Sequence, residues 1–293
     1  MIAAREERGH ATTRIEAGAP LGSIRGTCAV LDVRDEPAFA AGHPAGAGNI
    51  PHASLAERRT ELPPRGTSIL IVGASGDQAR EAAAQVEAFG YTSVHWLDAP
   101  LPSVEGGSDE RGSGARLWRP AEFLEAVLPR LRETVSGGRV LDLAAGTGRE
   151  AVFLALHGFD VEAMDNDRGI LVRAEALAAR NGVGIRATVR NLERRDPALP
   201  AEAYEVITVF RFLHRPLFPA IARALVPGGF LVYETYRRGQ ERFGRPKHPR
   251  FLLDDGELSS SFPDLEVERY EEPGPEQGPI TARLLARKPP PSH

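Results

Sequence analysis

Short apolar runs alternate with helical stretches in both halves of the chain, and this alternation restricts the possible fold more than any other feature. The runs CAVLDV and SILIVGA in the first half, and RVLDLAA and YEVITVF in the second, are rich in branched residues, as buried parallel strands are. Stretches of helical composition, such as QAREAAAQVEAF, lie between such runs. The order predicts a doubly wound α/β fold with mainly parallel sheets. A short connection joins the last two runs, LEVERYEE and ITARLLARK, so we expect an antiparallel edge hairpin.

One segment of the chain has a composition that cannot form a core. Residues 104–115 read VEGGSDERGSGA, and such Gly-, Ser- and acid-rich sequence is typical of a linker. We therefore predict an N-terminal domain over residues 1–102, a linker over 103–115 and a C-terminal domain over 116–293. A length of 293 residues also favours two domains.

Composition and charge exclude several classes of protein. Hydrophobic residues make up 42% of the chain and charged residues 26%, as in globular proteins. The C-terminal domain has 26 basic and 25 acidic residues, a net charge of +1, which does not indicate nucleic-acid binding. No apolar run approaches the roughly 20 residues of a membrane span, and residues 1–10 lack the apolar core of a signal peptide. We expect a cytoplasmic protein without a membrane partner. The single cysteine, Cys28, excludes an internal disulfide framework and a cysteine-built zinc site.

A glycine-containing loop follows the first predicted strand of the C-terminal domain. It reads DLAAGTG, from Asp142 to Gly148, and leads into a predicted helix. Glycine at positions 146 and 148 lets the backbone approach a ligand closely, and the helix N-terminus directs free N–H groups to the same place. Further polar or apolar groups stand at the ends of the next three strands, where ligands of parallel sheets bind: Asp165, Asn191 and Leu192, Phe210 and Arg211.

The segments VLDLAAGTGRE, AMDND, YEVITVFRF and LVPGGFLVYET resemble class I S-adenosylmethionine-dependent methyltransferases over residues 116–288. The first glycine of the family motif is replaced by Ala144. The resemblance implies S-adenosylmethionine as cofactor, with Asp142 toward the methionine amino group, Gly146 and Gly148 along the methionine and ribose, and Asp165 on the ribose hydroxyls. It places Asn166 and Asn191 beside the adenine, and Leu192 and Phe210 at neighbouring strand ends. A nicotinamide-binding fold is the alternative, but the Pro-Gly-Gly turn before a strand that ends in an acid is unusual in dehydrogenases.

Several residues are candidates for the acceptor side of such a site. Arg211 and His214 follow the fourth strand, and we predict them as catalytic residues on the substrate side. A basic stretch after the fifth strand, YETYRRGQERFGRPKHPRFLLDDGEL, resembles the tellurite-resistance and thiopurine-type small-molecule methyltransferases. We prefer a small, anionic or soft nucleophilic acceptor to RNA, because a net charge of +1 attracts a polyanion weakly. A non-catalytic binding or regulatory protein is a further alternative. The sequence does not indicate an oligomeric state.

The N-terminal half resembles rhodanese domains over about residues 22–101. The match rests on LDVRDEPAFAAGHPAGAGNIPHA, residues 31–53, and on the later SILIVGASGDQAREAA. Rhodanese chemistry needs a cysteine thiolate at the start of the second segment's loop, where this chain has Gly73, and Gln78 stands near the expected arginine. Cys28 precedes a different strand. The resemblance therefore implies a catalytically inactive domain that serves as a scaffold or docking module.

Overall fold

The computed structural model describes residues 13–16, 27–101, 110–135, 137–194, 199–274 and 279–290. The chain separates into two compact units, residues 1–119 and residues 120–293. Each unit is an α/β domain with its own sheet and its own core.

The first unit is built on a five-stranded parallel sheet in the order β1-β5-β4-β2-β3. The strands are β1 (Thr13–Ile15), β2 (Ala29–Asp32), β3 (Gly48–Asn49), β4 (Ile69–Val72) and β5 (Val94–Leu97), and the helices are α1 (Glu36–Ala41) and α2 (Gly76–Ala88). All four residues of β4 are buried, which explains why its sequence is a continuous apolar run rather than an alternating one. The strands β1 and β3 and the helix α1 escaped sequence prediction because two to six residues carry too little periodicity.

The second unit contains a seven-stranded sheet in the order β11-β12-β10-β9-β6-β7-β8. The strands are β6 (Arg139–Leu143), β7 (Asp160–Asp165), β8 (Arg186–Val189), β9 (Tyr204–Phe210), β10 (Leu225–Tyr236), β11 (Glu266–Glu271) and β12 (Thr281–Arg287). The helices are α3 (Glu122–Thr134), α4 (Arg149–Leu156), α5 (Arg168–Arg180), α6 (Phe218–Ala224) and α7 (Glu257–Ser260). Strand β12 runs antiparallel to β10 and β11, so the predicted edge hairpin is confirmed.

The strand order fixes where this sheet can bind a ligand. From β6 the chain moves outward to β7 and β8, and it then returns to the other side of β6 as β9. Crossover connections leave β6 and β9 in opposite directions, and this opens a crevice at their carboxyl ends. Residues 142–148 and 210–211 are placed at that switch point by the topology alone.

The predicted linker lies partly outside the described residues. Its described part is bound to the first unit through backbone hydrogen bonds: Gly112 N–H donates to the Ala40 carbonyl at 3.0 Å, and Ala115 N–H donates to the Ala47 carbonyl at 2.8 Å. Glu110 and His43 form an isolated antiparallel bridge. This polar, glycine-rich sequence is thus ordered by backbone pairing, which composition does not reveal.

Among the helices that the structure describes, the longest have 13 residues, and none is long and apolar enough to cross a bilayer.

Candidate active site

The backbone of the loop between β6 and α4 adopts left-handed conformations, which glycine favours. Ala144, Gly146 and Gly148 all have left-handed φ values, of 56°, 55° and 79°. A Cβ on Gly148 would lie 2.6 Å from the Cβ of Ala174 on α5, so this glycine allows the loop to pack against the helix. A Cβ on Gly146 would meet nothing within 4 Å. The backbone at position 146 therefore borders open space, which a ligand can enter.

Asp142 lies at the base of this loop and is only 1% exposed. Its Oδ1 accepts a 2.7 Å hydrogen bond from the Thr208 hydroxyl, and the Ala151 N–H lies close enough to favour the ionised carboxylate. No contact of good hydrogen-bond geometry satisfies Oδ2 among the described residues. Burial, and after it the neighbouring Glu150 carboxylate, raise the pKa of Asp142 to about 8. Burying a polar oxygen without a partner is costly, so this carboxyl group is arranged to receive a donor, preferably a cationic one.

Asp165 ends β7 and faces the same loop. Its Oδ2 accepts from the Gly146 N–H at 3.0 Å, and its Oδ1 accepts from the Asp167 N–H at 3.1 Å. A carboxylate has about four acceptor positions, so two remain available for hydroxyl donors of a ligand. The carboxylate thus fixes the shape of the glycine loop and retains binding capacity.

The remaining residues predicted for the adenine side differ in their surroundings. Asn166 is exposed directly after β7. Asn191 is exposed as well, and its Oδ1 already accepts from the Glu193 N–H at 2.9 Å. Leu192 lies in the hydrophobic core of the unit. The structure does not gather these three residues into one pocket with the glycine loop, and their roles stay predictions.

A cavity of about 170 Å³ lies at the strand ends, and it brings several predicted residues together. It is lined by Asp142, Ala144, Ala145, Gly146, Thr147, Arg149, Glu150, Phe210 and Arg211. Sequence reasoning missed Ala145 and Thr147 inside the loop, and Arg149 and Glu150 in the first turn of α4. The position of Arg149 and Glu150 in that turn is the signal that could have identified them, because the turn borders whatever the loop binds.

Arg211 occupies the rim of this cavity with an unusual backbone. Its φ is 58°, and its N–H donates to the Glu234 carbonyl at 2.8 Å. A left-handed arginine costs of order 1–2 kcal/mol, and such strain concentrates at functional sites. Its exposed guanidinium forms no hydrogen bond or ion pair with the described residues, so it is available to a ligand.

His214, the second catalytic candidate, lines a different cavity. This cavity of about 350 Å³ is bordered by Glu193, Leu213, His214, Arg215, Pro216, Arg250 and Phe251. The Nε2 atom of His214 lies 3.3 Å from the Arg194 carbonyl oxygen, a contact in which the ring nitrogen donates. The structure therefore does not bring His214 together with Arg211 in one cavity, and it gives the histidine a partner of its own.

Three arginines of the predicted acceptor side are engaged in ion pairs. Arg215 binds Glu257 through two nitrogens and also donates to the carbonyls of Leu252 and Arg250, at 2.9 and 3.0 Å. Arg237 pairs with Asp255 at 3.1 Å, and Arg238 pairs with Asp254. The acids of the segment DDGE, residues 254–257, thus pair with Arg215 and with two of the six basic residues between Arg237 and Arg250. The sequence contains this segment directly after the arginines, but its proximity in space was not anticipated.

Two family models match the chain. Residues 16–101 match the rhodanese-like domain, and residues 121–276 match the tellurite resistance protein TehB. The second match extends over more than half of the chain.

The chain belongs to the TehB family.

Curated relatives of this TehB-family chain include Hemagglutinin 1 of Eikenella corrodens, 30% identical over 149 residues, or 48% of each protein. Another is the ribosomal protein L11 methyltransferase of Thermus thermophilus, 38% identical over 106 residues, which are 36% of this chain and 40% of the relative. The chain spans half or less of the length of these two relatives. The crystal structure of TehB from Haemophilus influenzae matches with a TM-score of 0.47 and 19% identity, over 56% of this chain and 62% of that one.

The N-terminal unit of this TehB-family chain is rhodanese-like and lacks the cysteine of that fold's active-site loop. A Cβ on Gly73 would lie 2.9 Å from the Oε1 atom of Gln78, which accepts from the Ala74 N–H at 2.8 Å. The Gln78 side chain therefore occupies the space that a side chain at position 73 would enter. Cys28 is half-buried directly before β2, in another element.

Proposed function

We propose that the C-terminal domain is an S-adenosylmethionine-dependent methyltransferase. The observation that carries the proposal is the buried, unpartnered Oδ2 of Asp142 beside an open glycine loop at the switch point of the sheet. An ammonium group satisfies such an oxygen and also offsets the cost of burying the carboxylate. Membership of the TehB family and the similarity to a ribosomal protein L11 methyltransferase support the same function.

The residues of the site fit the parts of this cofactor. In our proposal Asp142 receives the ammonium group of the methionine moiety, and Asp165 receives the ribose hydroxyls through its remaining acceptor positions. The open backbone at Gly146 borders the chain between them, and Asn166 lies on the adenine side. Phe210 and Arg211 border the region where an acceptor meets the methyl group. The cofactor supplies an electrophilic methyl group on a sulfonium, and the protein supplies proximity and orientation.

The acceptor in this proposal is a small molecule. The ion pairs of Arg215, Arg237 and Arg238 remove three arginines from the set available to an anionic acceptor. The same pairs remove them from an RNA-binding surface, which needs many exposed positive charges. Arg149 and Arg211 line the cavity, and neither guanidinium has an ion-pair partner among the described residues.

We propose further that the rhodanese-like domain is catalytically inactive and acts as a scaffold or docking module. Sulfur transfer requires a thiolate held by the backbone N–H groups of the loop. Here Gly73 provides no thiol, and Gln78 uses the N–H of Ala74.

Calorimetric titration with S-adenosylmethionine and, separately, with NAD tests the function. The proposal predicts saturable binding of S-adenosylmethionine and no binding of NAD. Binding of NAD alone would establish the dinucleotide alternative instead. A screen with methyl-labelled cofactor against thiol, amine, hydroxyl, chalcogen-oxyanion and RNA acceptors then identifies the acceptor class. A protein that binds the cofactor but labels none of them is the non-catalytic alternative.

A further inference from the structure

Side chains from four strands form a row on one face of the seven-stranded sheet. The Thr208–Asp142 hydrogen bond shows that these two residues share a face, and strand alternation places Phe210 on it as well. Phe210 is the register partner of Glu234 on β10, and Glu234 is the partner of Arg283 on β12. Residues paired across a sheet point to the same side. Glu234 therefore lies on the face that carries Asp142, next to a residue that lines the cavity.

Glu234, like Asp142, is a buried carboxylate with an unsatisfied oxygen. It is 9% exposed, and its Oε2 has no hydrogen-bond partner among the described residues. Its Oε1 lies 3.4 Å from Arg283 Nε, which is longer than a good charge-assisted hydrogen bond. Burial raises the pKa of Glu234, and the charges of Arg283 and Arg211 oppose that effect. A carboxylate so placed gains from any ligand that donates a proton to Oε2.

Thr281 adds a second unsatisfied group at the same place. It is the residue of β12 two positions before Arg283, so it lies on the same face, and it is 2% exposed. Its hydroxyl lies close enough to Glu234 to act as a hydrogen-bond donor that favours the ionised carboxylate, although no contact of good hydrogen-bond geometry satisfies Oγ1 within the described part of the chain. The two buried groups on adjacent strands are therefore incompletely satisfied. Because buried polar groups are normally hydrogen-bonded, a ligand that approaches Oε2 would be stabilised here.

The charges around this place decide what kind of acceptor it fits. The carboxylates of Asp142, Glu150 and Glu234 border the row, and two further carboxylates lie near Arg283, those of Glu122 at 3.6 Å and Glu271 at 3.9 Å. In the cavity, Arg149 and Arg211 balance Asp142 and Glu150, whereas three carboxylates surround the single guanidinium of Arg283. An anionic nucleophile beside Glu234 would therefore meet an excess of negative charge. A nucleophile that carries a proton would donate a hydrogen bond to Glu234 Oε2 and so satisfy this oxygen.

We propose that Glu234, assisted by Thr281, is the acceptor-binding group of the methyltransferase site and that the acceptor is a small neutral molecule with a hydroxyl or amine nucleophile. The inference rests on the proposed function, because the methyl donor must bind at the adjacent glycine loop. In the transfer, the sulfur–methyl bond breaks and its electron pair stays on sulfur. A bond forms between the methyl carbon and the acceptor oxygen or nitrogen, and the acceptor's proton passes to Glu234 Oε2.

Two cofactor analogues test this without knowledge of the acceptor. S-adenosylhomocysteine lacks the methyl group, whereas sinefungin carries an ammonium group where the methylsulfonium stands. In our proposal this ammonium points at Glu234. One charge-assisted hydrogen bond corresponds to roughly a 10- to 100-fold difference in affinity. We therefore expect wild-type protein to bind sinefungin more tightly than S-adenosylhomocysteine by about that factor, as measured by calorimetry.

The variant Glu234→Gln keeps the shape of the side chain and removes its charge. We expect it to bind S-adenosylhomocysteine within about threefold of the wild-type affinity and to lose most of the preference for sinefungin. The matched control is Glu271→Gln, which removes one of the two other carboxylates near Arg283, the second being Glu122, and should retain the preference. Glu234→Asp, with a shorter carboxylate, should restore part of it.

The outcomes separate this inference from the function on which it rests. If neither analogue binds, the proposed function fails. If S-adenosylhomocysteine binds but wild-type protein shows no preference for sinefungin, the function stands and the role of Glu234 is wrong; this result needs no variant and does not depend on whether Glu234→Gln folds. A preference that survives in Glu234→Gln also overturns the inference. A preference lost in Glu234→Gln and kept in Glu271→Gln supports it.

Discussion

The hydroxyl of Thr208 donates a 2.7 Å hydrogen bond to Oδ1 of Asp142 and leaves Oδ2, on the other side of the same buried carboxyl group, without a partner among the described residues. The bond holds the carboxyl group in one orientation. Asp142 is also one of the residues that line the cavity at the glycine loop. The unsatisfied oxygen lowers the stability of the folded protein, and we infer that the protein keeps this arrangement because it binds a ligand.

The first prediction concerns the pH dependence of stability without ligand. The pKa of Asp142 is about 8 in the folded protein and about 4 in an unfolded chain, so between these values the folded state holds the additional proton. The contribution of this group to stability is therefore present below about pH 4 and is lost as the pH rises toward 8. Asp142→Asn should remove that loss. We expect the variant to exceed wild type in melting temperature at pH 8, by more than it does at pH 5.

Thermal melts at both pH values measure this difference. Asp160→Asn, at the exposed start of β7, is the control, and its melting temperature should track wild type at both pH values. A constant offset between Asp142→Asn and wild type would show that Asp142 has an ordinary pKa.

The second prediction concerns backbone strain in the glycine loop. Ala144 has a φ of 56°, a conformation that glycine adopts without cost. Ala144→Gly should raise the free energy of unfolding by up to about 1 kcal/mol, because the relief of strain exceeds the greater entropy loss of glycine. Urea unfolding measures the change. The same replacement at Ala145, whose φ is not left-handed, is the control and should destabilise the protein. Destabilisation of equal size in both variants would show that the backbone at Ala144 is not strained.

The third prediction concerns the segment that follows β10. Arg215 joins Glu257 and two backbone carbonyls through its fixed guanidinium geometry. Lysine cannot make these contacts together, so Arg215→Lys should lower the free energy of unfolding by about 1–2 kcal/mol. Arg242→Lys, on an exposed position of the same stretch, should change it by less than about 0.5 kcal/mol. Equal effects of the two variants would mean that the ion pair does not hold the segment.

The fourth prediction concerns the rhodanese-like domain. The wild-type protein should not transfer sulfur from thiosulfate to cyanide, since the loop has no thiol. In Gly73→Cys alone the flexible Gln78 side chain must first swing away, because the new Cβ would lie 2.9 Å from its Oε1, so we expect little persulfide. Removing that obstacle in Gly73→Cys with Gln78→Ala should allow a persulfide to form, as detected by mass spectrometry after thiosulfate treatment. Sulfur transfer by the wild-type protein that is lost in Cys28→Ser would contradict this account.

The sequence allowed much of the fold to be predicted, for reasons that differ between elements. Strand β9 was located to the residue because its apolar run leaves little choice of secondary structure, and β7 was located to the residue although acids stand at three of its six positions. The sequence placed Asp142, Gly146 and Phe210 at neighbouring strand ends, and one cavity contains all three, because strand ends at a switch point converge. The local sequence is therefore enough to predict these strands and the residues at their ends.

Contacts between distant segments could not be predicted in the same way. The pairing of Arg215 with Glu257 spans 42 residues, and the row from Asp142 to Arg283 depends on the register of three strand pairs. The number of basic residues in the sequence does not show that Arg215, Arg237 and Arg238 pair with acids of residues 254–257. His214 was assigned by its proximity in the chain to Arg211, yet a few residues beyond a strand end are enough to reach another cavity.

The fifth prediction concerns Asp165. Its carboxylate accepts from the Gly146 N–H and, in our proposal, from the ribose of the cofactor. Asp165→Ala should weaken binding of S-adenosylmethionine by roughly 1.5–3 kcal/mol, the range for a charge-assisted hydrogen bond. Calorimetry measures the loss, and a thermal melt reports separately on any loosening of the loop. An affinity equal to wild type would show that the ribose binds elsewhere.

The affinity of S-adenosylmethionine for wild-type protein and for Asp142→Asn, measured by calorimetry at pH 8, tests the central claim most directly. Asparagine can keep the hydrogen bond from Thr208, but it presents no negative charge to an ammonium group. The account predicts saturable binding to the wild type and affinity at least about tenfold weaker for a folded, thermally more stable Asp142→Asn. Wild-type protein that binds no S-adenosylmethionine at millimolar concentration, or a variant that binds it equally well, would contradict it.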